Sequence, residues 1–462
     1  MVRLKRYWST GAVLALILAA IYLRWHIYGD LRLSIANNDT QSYVTSAKAR
    51  PLSWEAFTGR RLFTTNLLYR LFRPKEGYEI LVNGSAGTTR RQVQPTFAGM
   101  AVFQNLASIL CWTVLTVIIA GGLKNRGLQI LAALVITTFA FTPQLADWDS
   151  VLTSESLTFS LFTLQFGLLA LLITRLFKDP EATPATIFLA ILWLLTVFFW
   201  TFLKDGNLYT LVVDALAIGG LLAFKSLRRQ KILFLILLGA LASFFALGWA
   251  TAARSSRSQI QLWHVYEVSI LPSPARAEFM KAQGMPDRPS AKFSRWFRQH
   301  AQEAYVKFLL THPGYVLTNY TRDSLAAFAS GVQPYFTAPE LPLRQALIPF
   351  GQVLHPSDPS PMLMDTLLLA GVWAIALKRR PDSGLAWAWL ASWLYLAAHA
   401  GMFITVFGDA YALTRHALMA TTMFRLFMWM FAIVVIELAL LPGQHGRSRE
   451  GLATAPATTL PG

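Results

Sequence analysis

Cysteine is all but missing from this chain. Cys111 is the only one among 462 residues, and it sits inside an apolar run. A disulfide within the chain and a cysteine-based metal cluster are therefore both excluded. Charge is scarce too: Asp, Glu, Lys and Arg together make up 14% of the residues, against roughly 25% in soluble domains. Acids are the scarcer half, 24 against 41 Lys and Arg. No internal repeat is visible, which weighs against the paired halves of many transporters.

What the chain has instead is hydrocarbon. Apolar residues form 54% of it and the mean hydropathy is +0.43. They come in long blocks and not at amphipathic spacing, the pattern of membrane-spanning helices. The expected fold is an all-α polytopic membrane protein with ten spans, near 9–28, 98–123, 128–144, 157–177, 184–203, 207–224, 231–251, 363–378, 384–407 and 416–441. Each approaches or exceeds the ~20 residues that cross a bilayer. The first follows Arg3, Lys5 and Arg6 as a signal peptide would. It runs into Tyr22-Leu-Arg-Trp-His with no small-x-small cleavage site, so it reads as a retained span.

The net charge, 41 minus 24, is +17. The basic residues sit between apolar segments, so this charge describes topology and implies no nucleic-acid partner. With a cytoplasmic N-terminus, one side receives Arg3, Lys5, Arg6, Lys124, Arg126, Arg175, Lys178, the run KSLRRQK (225–231), KRR (378–380), Arg447 and Arg449. That is the positive-inside bias. The outer side receives the loop 29–97, DWDSVLTSES (147–156), LKDGN (203–207), the segment 252–362 and GDAYALTRH (408–416). A topology set by Lys and Arg alone thus gathers the acidic clusters on one face.

Four units follow: a transmembrane module 1–251 carrying the first outer loop 29–97, an outer segment 252–362, C-terminal helices 363–442, and a disordered cytoplasmic tail 443–462. The first loop is expected to form an amphipathic helix from about 42 to 72. Its Lys48, Arg50, Arg60, Arg61, Arg70 and Arg73 stand among Leu, Phe, Trp and Tyr, which suits a helix near anionic lipid phosphate.

The polar clusters at the outer face each have a structural reading and a functional one. Asp39 is either a helix N-cap or a general base whose basicity is raised by partial desolvation. Asp147, Asp149 and Glu155 either favour helix N-termini through the macrodipole, hold a divalent cation such as Mg or Mn, or position an acceptor's hydroxyls. Lys204 either snorkels or clamps a lipid-linked phosphate, with Asn207 donating a hydrogen bond. Arg415 and His416 are either a lipid anchor or a second phosphate contact, arginine being suited to bidentate binding. Asp214 and Arg425 lie deeper and are expected to pair with each other. His399 is expected to be a hydrogen-bonded core histidine.

A base, phosphate-binding cations and a site at the membrane surface suit glycosyl transfer from a polyprenyl-phosphate sugar. A phosphate leaving group needs charge stabilisation and no proton, so one carboxylate suffices as base. Asp39 in the first outer loop, DWDSVLTSES at the mouth of the fourth span and the later GDAYALTRH resemble the GT-C superfamily of integral membrane glycosyltransferases. The protein O-mannosyltransferase and aminoarabinose-transferase type is the nearest in character. The stretch LTSESLTFSLF is similar to a Ser-Glu-Leu pattern of that family. The resemblance implies Asp39 as base, Asp147, Asp149 or Glu155 as second-motif residues, and a hexosyl- or pentosyltransferase of a bacterial cytoplasmic membrane with its site on the extracytoplasmic side. Its partners would be the lipid-phosphate donor, membrane lipids and a glycan, lipid or protein acceptor. Asp39 stands alone where some relatives carry an acidic pair, and no WWDYG-like signature is present, which argues against transfer of a whole oligosaccharide. The alternatives are a transporter or flippase of a lipid-linked or small polar substrate, and a membrane scaffold.

Overall fold

The computed structural model describes residues 2–27, 29–75, 92–179, 181, 183–255, 257–329, 332–336, 341–379 and 383–441. The expected tail 443–462 and residues 76–91 of the first loop lie outside them. The protein is an all-α polytopic membrane protein: among the described residues eight helices are long and apolar enough to cross a bilayer, nine with one bent pair counted.

The eight are Trp8–His26, Pro95–Gly122, Glu155–Lys178, Pro184–Thr201, Lys225–Ala253, Ser360–Arg379, Gly384–Gly408 and Leu418–Leu440. The ninth is Arg126–Phe141 continued by Pro143–Ser150 after a 47° bend. Pro143 causes that break, since its ring cannot follow a continuing helix. The span expected at 207–224 is a twelve-residue helix, Thr210–Leu221, preceded by the 3-10 turn Asp205–Tyr209. The helix rises only ~18 Å, which is why it falls short as a span by itself. The chain nevertheless changes ends there. Asp205 just before it and Arg257 just after the next helix form an ion pair at 3.2 Å, so the two helices make a round trip.

Local signals explain several boundaries. Asn125 Oδ1 accepts from the amides of Gly127 and Leu128 and starts the Arg126–Phe141 helix. Thr183 and Pro184 start the next long hairpin arm in the favoured cap-then-proline order. The Glu155–Lys178 helix is the axis of the bundle, with 78% of its span buried, whereas Trp8–His26 is peripheral at 22%. Phe162, Phe166, Trp193, Trp200 and Trp393 fill the space around that axis.

Helix ends sort by charge. Lys124, Arg126, Arg175, Lys178, Lys225, Arg228, Arg229, Lys378 and Arg379 stand at one end. There the buried Glu437 accepts from the amides of Lys124 at 2.6 Å and Asn125 at 3.2 Å, which satisfies exposed helix-start donors. The acids of the candidate site gather at the opposite end, called the rim below.

The first loop departs from expectation. Instead of one helix over 42–72 it forms Thr40–Ser46, Glu55–Thr58 and Phe63–Leu71. Pro51 lies in the first break and Gly59 ends the middle turn. Tyr43, Val44, Leu68 and Tyr69 are buried in a core with Phe97, Met100, Leu152, Leu157 and Leu203. Side-chain burial against the bundle outweighs a lipid-facing position for this face.

The segment 252–362 is helical and has its own apolar cluster, in which Tyr266, Met280, Trp296, Phe297 and Tyr305 are buried. The amphipathic run beginning at 291 forms Ala291–Thr311, capped by Ser290 Oγ accepting from the Phe293 amide.

Asp214 and Arg425 do not pair. Asp214 accepts from Trp393 Nε1 at 2.7 Å and Gln165 Nε2 at 3.4 Å. Arg425 instead donates to the carbonyls of Pro356 and Phe328 at 2.8 and 3.0 Å. A guanidinium, with five donors, satisfies carbonyls near helix ends without an ion-pair partner. Exchanging the two residues, Asp214→Arg with Arg425→Asp, is therefore expected to rescue neither single variant. Yield of monodisperse protein measures this; recovery in the double variant would restore the pairing. His399 accepts or donates one bond at 2.7 Å to Tyr320 Oη, as a core histidine should.

Candidate functional site

Asp39 and Glu155 are 116 positions apart in sequence and are stitched together by backbone just ahead of each. Ile35–Ala36 pairs antiparallel with Gln92–Val93, and Ile35 also bridges Val151 in parallel. The Leu152 amide donates to Ile35 O at 2.8 Å, and Thr40 Oγ1 donates to Leu152 O at 2.9 Å. Such two-residue ribbons leave no periodicity in a sequence.

Asp39 is not a cap. Asn37 Oδ1 accepts from the amides of Asp39 and Thr40 at 2.9 and 3.1 Å and organises the turn, and the Asp39 side chain makes no capping bond. Its carboxylate is given to two arginines: Oδ1 to Arg61 Nη2 at 2.8 Å and Oδ2 to Arg415 Nη1 at 2.6 Å. Arg61 is fixed in turn by Ser42 Oγ at 2.7 Å and by the Tyr43 ring 4.1 Å beneath it. Arg415 also donates Nε to Glu155 Oε1 at 2.9 Å. One guanidinium thus joins the first-loop acid to the acid at the start of the central helix.

The expected rise in basicity at Asp39 is reversed. Burial does push the carboxyl up, but Arg415 and then Arg61 outweigh it and hold the group below its ordinary value. A depressed folded pKa gives stability that is fully present above the unfolded value near ~3.9 and is lost as pH falls through the lower folded one. Melting temperature should therefore hold down to about pH 4 as far as Asp39 is concerned. In Arg415→Gln the folded value should rise towards the unfolded one, so the Asp39 share of the acid-side decline should shrink, and identical profiles would remove Arg415 as the cause.

The second acidic cluster divides among three arginines. Asp147 is bound bidentately by Arg344 at 2.7 Å and 2.7 Å. Asp149 is bound by Arg24 and by Ser156 Oγ, the latter at 2.5 Å. Only Glu155 faces Asp39. The expected cation site does not fit this arrangement: Asp147 and Asp149 spend their oxygens on structural partners. Among the described residues no group of three or more His, Cys, Asp or Glu is arranged to hold a metal ion.

The expected phosphate contacts also divide. Asn207 is buried and donates its amide to Trp200 O at 2.7 Å, closing the end of the Pro184–Thr201 helix. His416 pairs with Asp409 at 3.3 Å, and His264 holds the same carboxylate at 3.1 Å. Both line the same cavity as Lys204. Lys204 does remain available, with no hydrogen bond or ion pair among the described residues. Burial lowers its pKa, opposed chiefly by Glu155 and further by Asp409 and Asp39.

Lys204 lines a cavity of about 330 Å³. Its mouth is polar, with Asp205, Gln302, Asp409 and His416. Its depth is apolar, with Phe403, Ile404, Met419 and Met423. Met423 lies five residues into the Leu418–Leu440 helix, ~7 Å below the rim.

Sequence reasoning missed three contributors. Arg61 counted there only as one basic residue of an interfacial helix. Arg344 carried no signal at all. Tyr335, from the 252–362 segment, lies 5.9 Å from the Arg415 guanidinium and edge-on to Trp148. Gln333 Oε1 holds its amide at 2.7 Å. Tertiary contacts alone bring these three to the rim.

No protein-family description matches the chain, and no curated protein matches it. Among solved structures it is similar to the archaeal oligosaccharyltransferase AglB from Archaeoglobus fulgidus in complex with an inhibitory peptide and a dolichol-phosphate. That superposition has a TM-score of 0.46 and 12% identity, and covers 99% of this chain and 53% of that one. The apo form of the Archaeoglobus fulgidus oligosaccharyltransferase gives 0.46 and 15%, covering 97% and 52%. The chain spans about half the length of either, and so loose a likeness carries no argument about its chemistry.

Proposed function

We propose that the protein is a membrane glycosyltransferase that moves a sugar from a polyprenyl-phosphate donor to an acceptor outside the cytoplasm, with a GT-C-like architecture. The observation that carries this reading is the linked set Asp39–Arg415–Glu155 beside Lys204 and an amphiphilic cavity. A lipid phosphate has the same polarity: an anion at the rim and an isoprenoid chain along Phe403, Ile404 and Met423.

In the transfer step Asp39 takes the proton of the acceptor hydroxyl. The acceptor oxygen bonds to the anomeric carbon as the bond from that carbon to the phosphate oxygen breaks. The electron pair goes to the phosphate, whose added charge is stabilised by Lys204 and Arg415. Arg415 in place on Asp39 keeps the base ionised. Its attraction to an incoming phosphate would loosen that pair and raise the carboxylate's basicity when the donor is bound. A cation at Asp147 and Asp149 forms no part of this reading.

Lipid extraction of the purified protein followed by mass spectrometry should recover a polyprenyl phosphate. Lys204→Met should weaken binding of added decaprenyl phosphate about tenfold or more, the range for losing a charged hydrogen bond. Absence of any co-purified polyprenyl phosphate, together with no binding of added decaprenyl phosphate, would sink the proposal.

A further inference from the structure

Glu155 uses only half of its carboxylate. Oε1 receives Arg415, whereas Oε2 is buried and has no hydrogen-bond partner. Glu155 as a whole is 4% exposed. Thr153, fully buried two residues earlier, has its hydroxyl beside the Glu155 carboxylate, yet neither Thr153 Oγ1 nor Glu155 Oε2 completes a well-formed hydrogen bond. Lys204 faces Glu155 closely enough to be its second electrostatic partner after Arg415, yet the two form no ion pair. Leu203 packs with Leu152 and Leu157, so the turn carrying Lys204 is held against the strand-like turn carrying Thr153. Native proteins rarely bury polar groups unpaired, and such groups mark places where something else binds.

The chemistry of the three groups narrows what that is. A carboxylate only accepts, an ammonium only donates, and a threonine hydroxyl does either. A phosphate oxygen would suit Lys204 and be repelled by Glu155. A ligand ammonium would suit Glu155 and be repelled by Lys204. A hydroxyl satisfies both at once, donating to Glu155 and accepting from Lys204.

We propose that Glu155 Oε2, Thr153 Oγ1 and Lys204 Nζ together form a subsite for a hydroxyl on the donor's sugar ring. This rests on the glycosyl-transfer reading above and deepens it. The subsite lies one guanidinium from the base, since Arg415 spans Glu155 and Asp39 at 2.9 and 2.6 Å. Lys204 has three donors and serves phosphate and sugar together. The grip selects a donor sugar by a free hydroxyl, and leaves recognition of the lipid to the cavity.

The test uses full-length protein in nanodiscs and three lipids: decaprenyl phosphate, decaprenyl-phosphate mannose and decaprenyl-phosphate arabinose. The readout is the ratio of affinities with and without sugar, taken within each variant so that changes in phosphate binding cancel. The wild type should bind at least one sugar-bearing lipid about tenfold or more tightly than the bare one. Thr153→Val, which leaves Arg415 paired, should lose most of that ratio, and Glu155→Gln should lose it as well. Should one variant fail to fold, the other decides. If folded variants keep the wild-type ratio, the subsite is wrong while the transfer reading stands. A wild type that gains nothing from either sugar means the groups hold solvent only, with the same consequence. Failure of the wild type to bind any of the three lipids overturns the transfer reading and this inference with it.

Discussion

Asp39→Asn is expected to lower sugar transfer by about 10²–10⁴-fold, the usual contribution of a general base, while the protein still purifies as a folded species. The two halves of that expectation have separate causes. Loss of activity follows because an amide cannot accept the acceptor's proton. Survival of the fold follows because the Asp39 carboxylate is 35% exposed at its side chain, and Arg61 and Arg415 keep other partners. Ion pairs this accessible contribute only about 0–1 kcal/mol. Single-turnover assays with a polyprenyl-phosphate sugar, beside a melting curve, separate the two. Retained transfer would take Asp39 out of the mechanism, and an unfolded variant would show that its pairs matter more to stability than their exposure implies.

The opposite pattern is expected at Asp147. Its side chain is 1% exposed and both oxygens are held by Arg344. Removing one partner of a buried pair leaves an uncompensated charge and costs about 3–5 kcal/mol. Asp147→Ala and Arg344→Ala should therefore each lose most folded protein. Asp147→Leu with Arg344→Met should recover much of it, because a well-packed apolar pair replaces a buried salt bridge at little cost. Whatever folded protein remains should transfer sugar at the wild-type rate per molecule. A well-folded but inactive Asp147 variant would return that residue to the chemistry.

These contrasts show how far one-dimensional reading reaches. DWDSVLTSES is legible as an acidic cluster at one end of the bundle, because helix ends and charge bias fix where it lies. Its division of labour is not legible: Asp147 meets Arg344 from 197 residues away, Asp149 meets Arg24, and Glu155 meets Arg415. Lys204 and Asn207, read from the sequence as one cluster, line the same cavity, but the Asn207 amide also closes a helix end. The reach of a side chain is only a few ångströms, so the choice between a capping, pairing or reacting role depends on which segments the fold brings beside it.

Composition and the order of apolar blocks, by themselves, determined that this chain is a helical bundle in a membrane with the acidic clusters at one end and the short Lys- and Arg-rich connections at the other. The cause is local: a segment without charge crosses lipid, and Lys and Arg stay at its ends. Only the tertiary structure decided that Asp39 and Glu155 share Arg415, that the first loop folds onto the bundle, and that Asp214 and Arg425 live apart. Those outcomes depend on burial and hydrogen bonding between residues distant in the chain, for which sequence spacing carries no record.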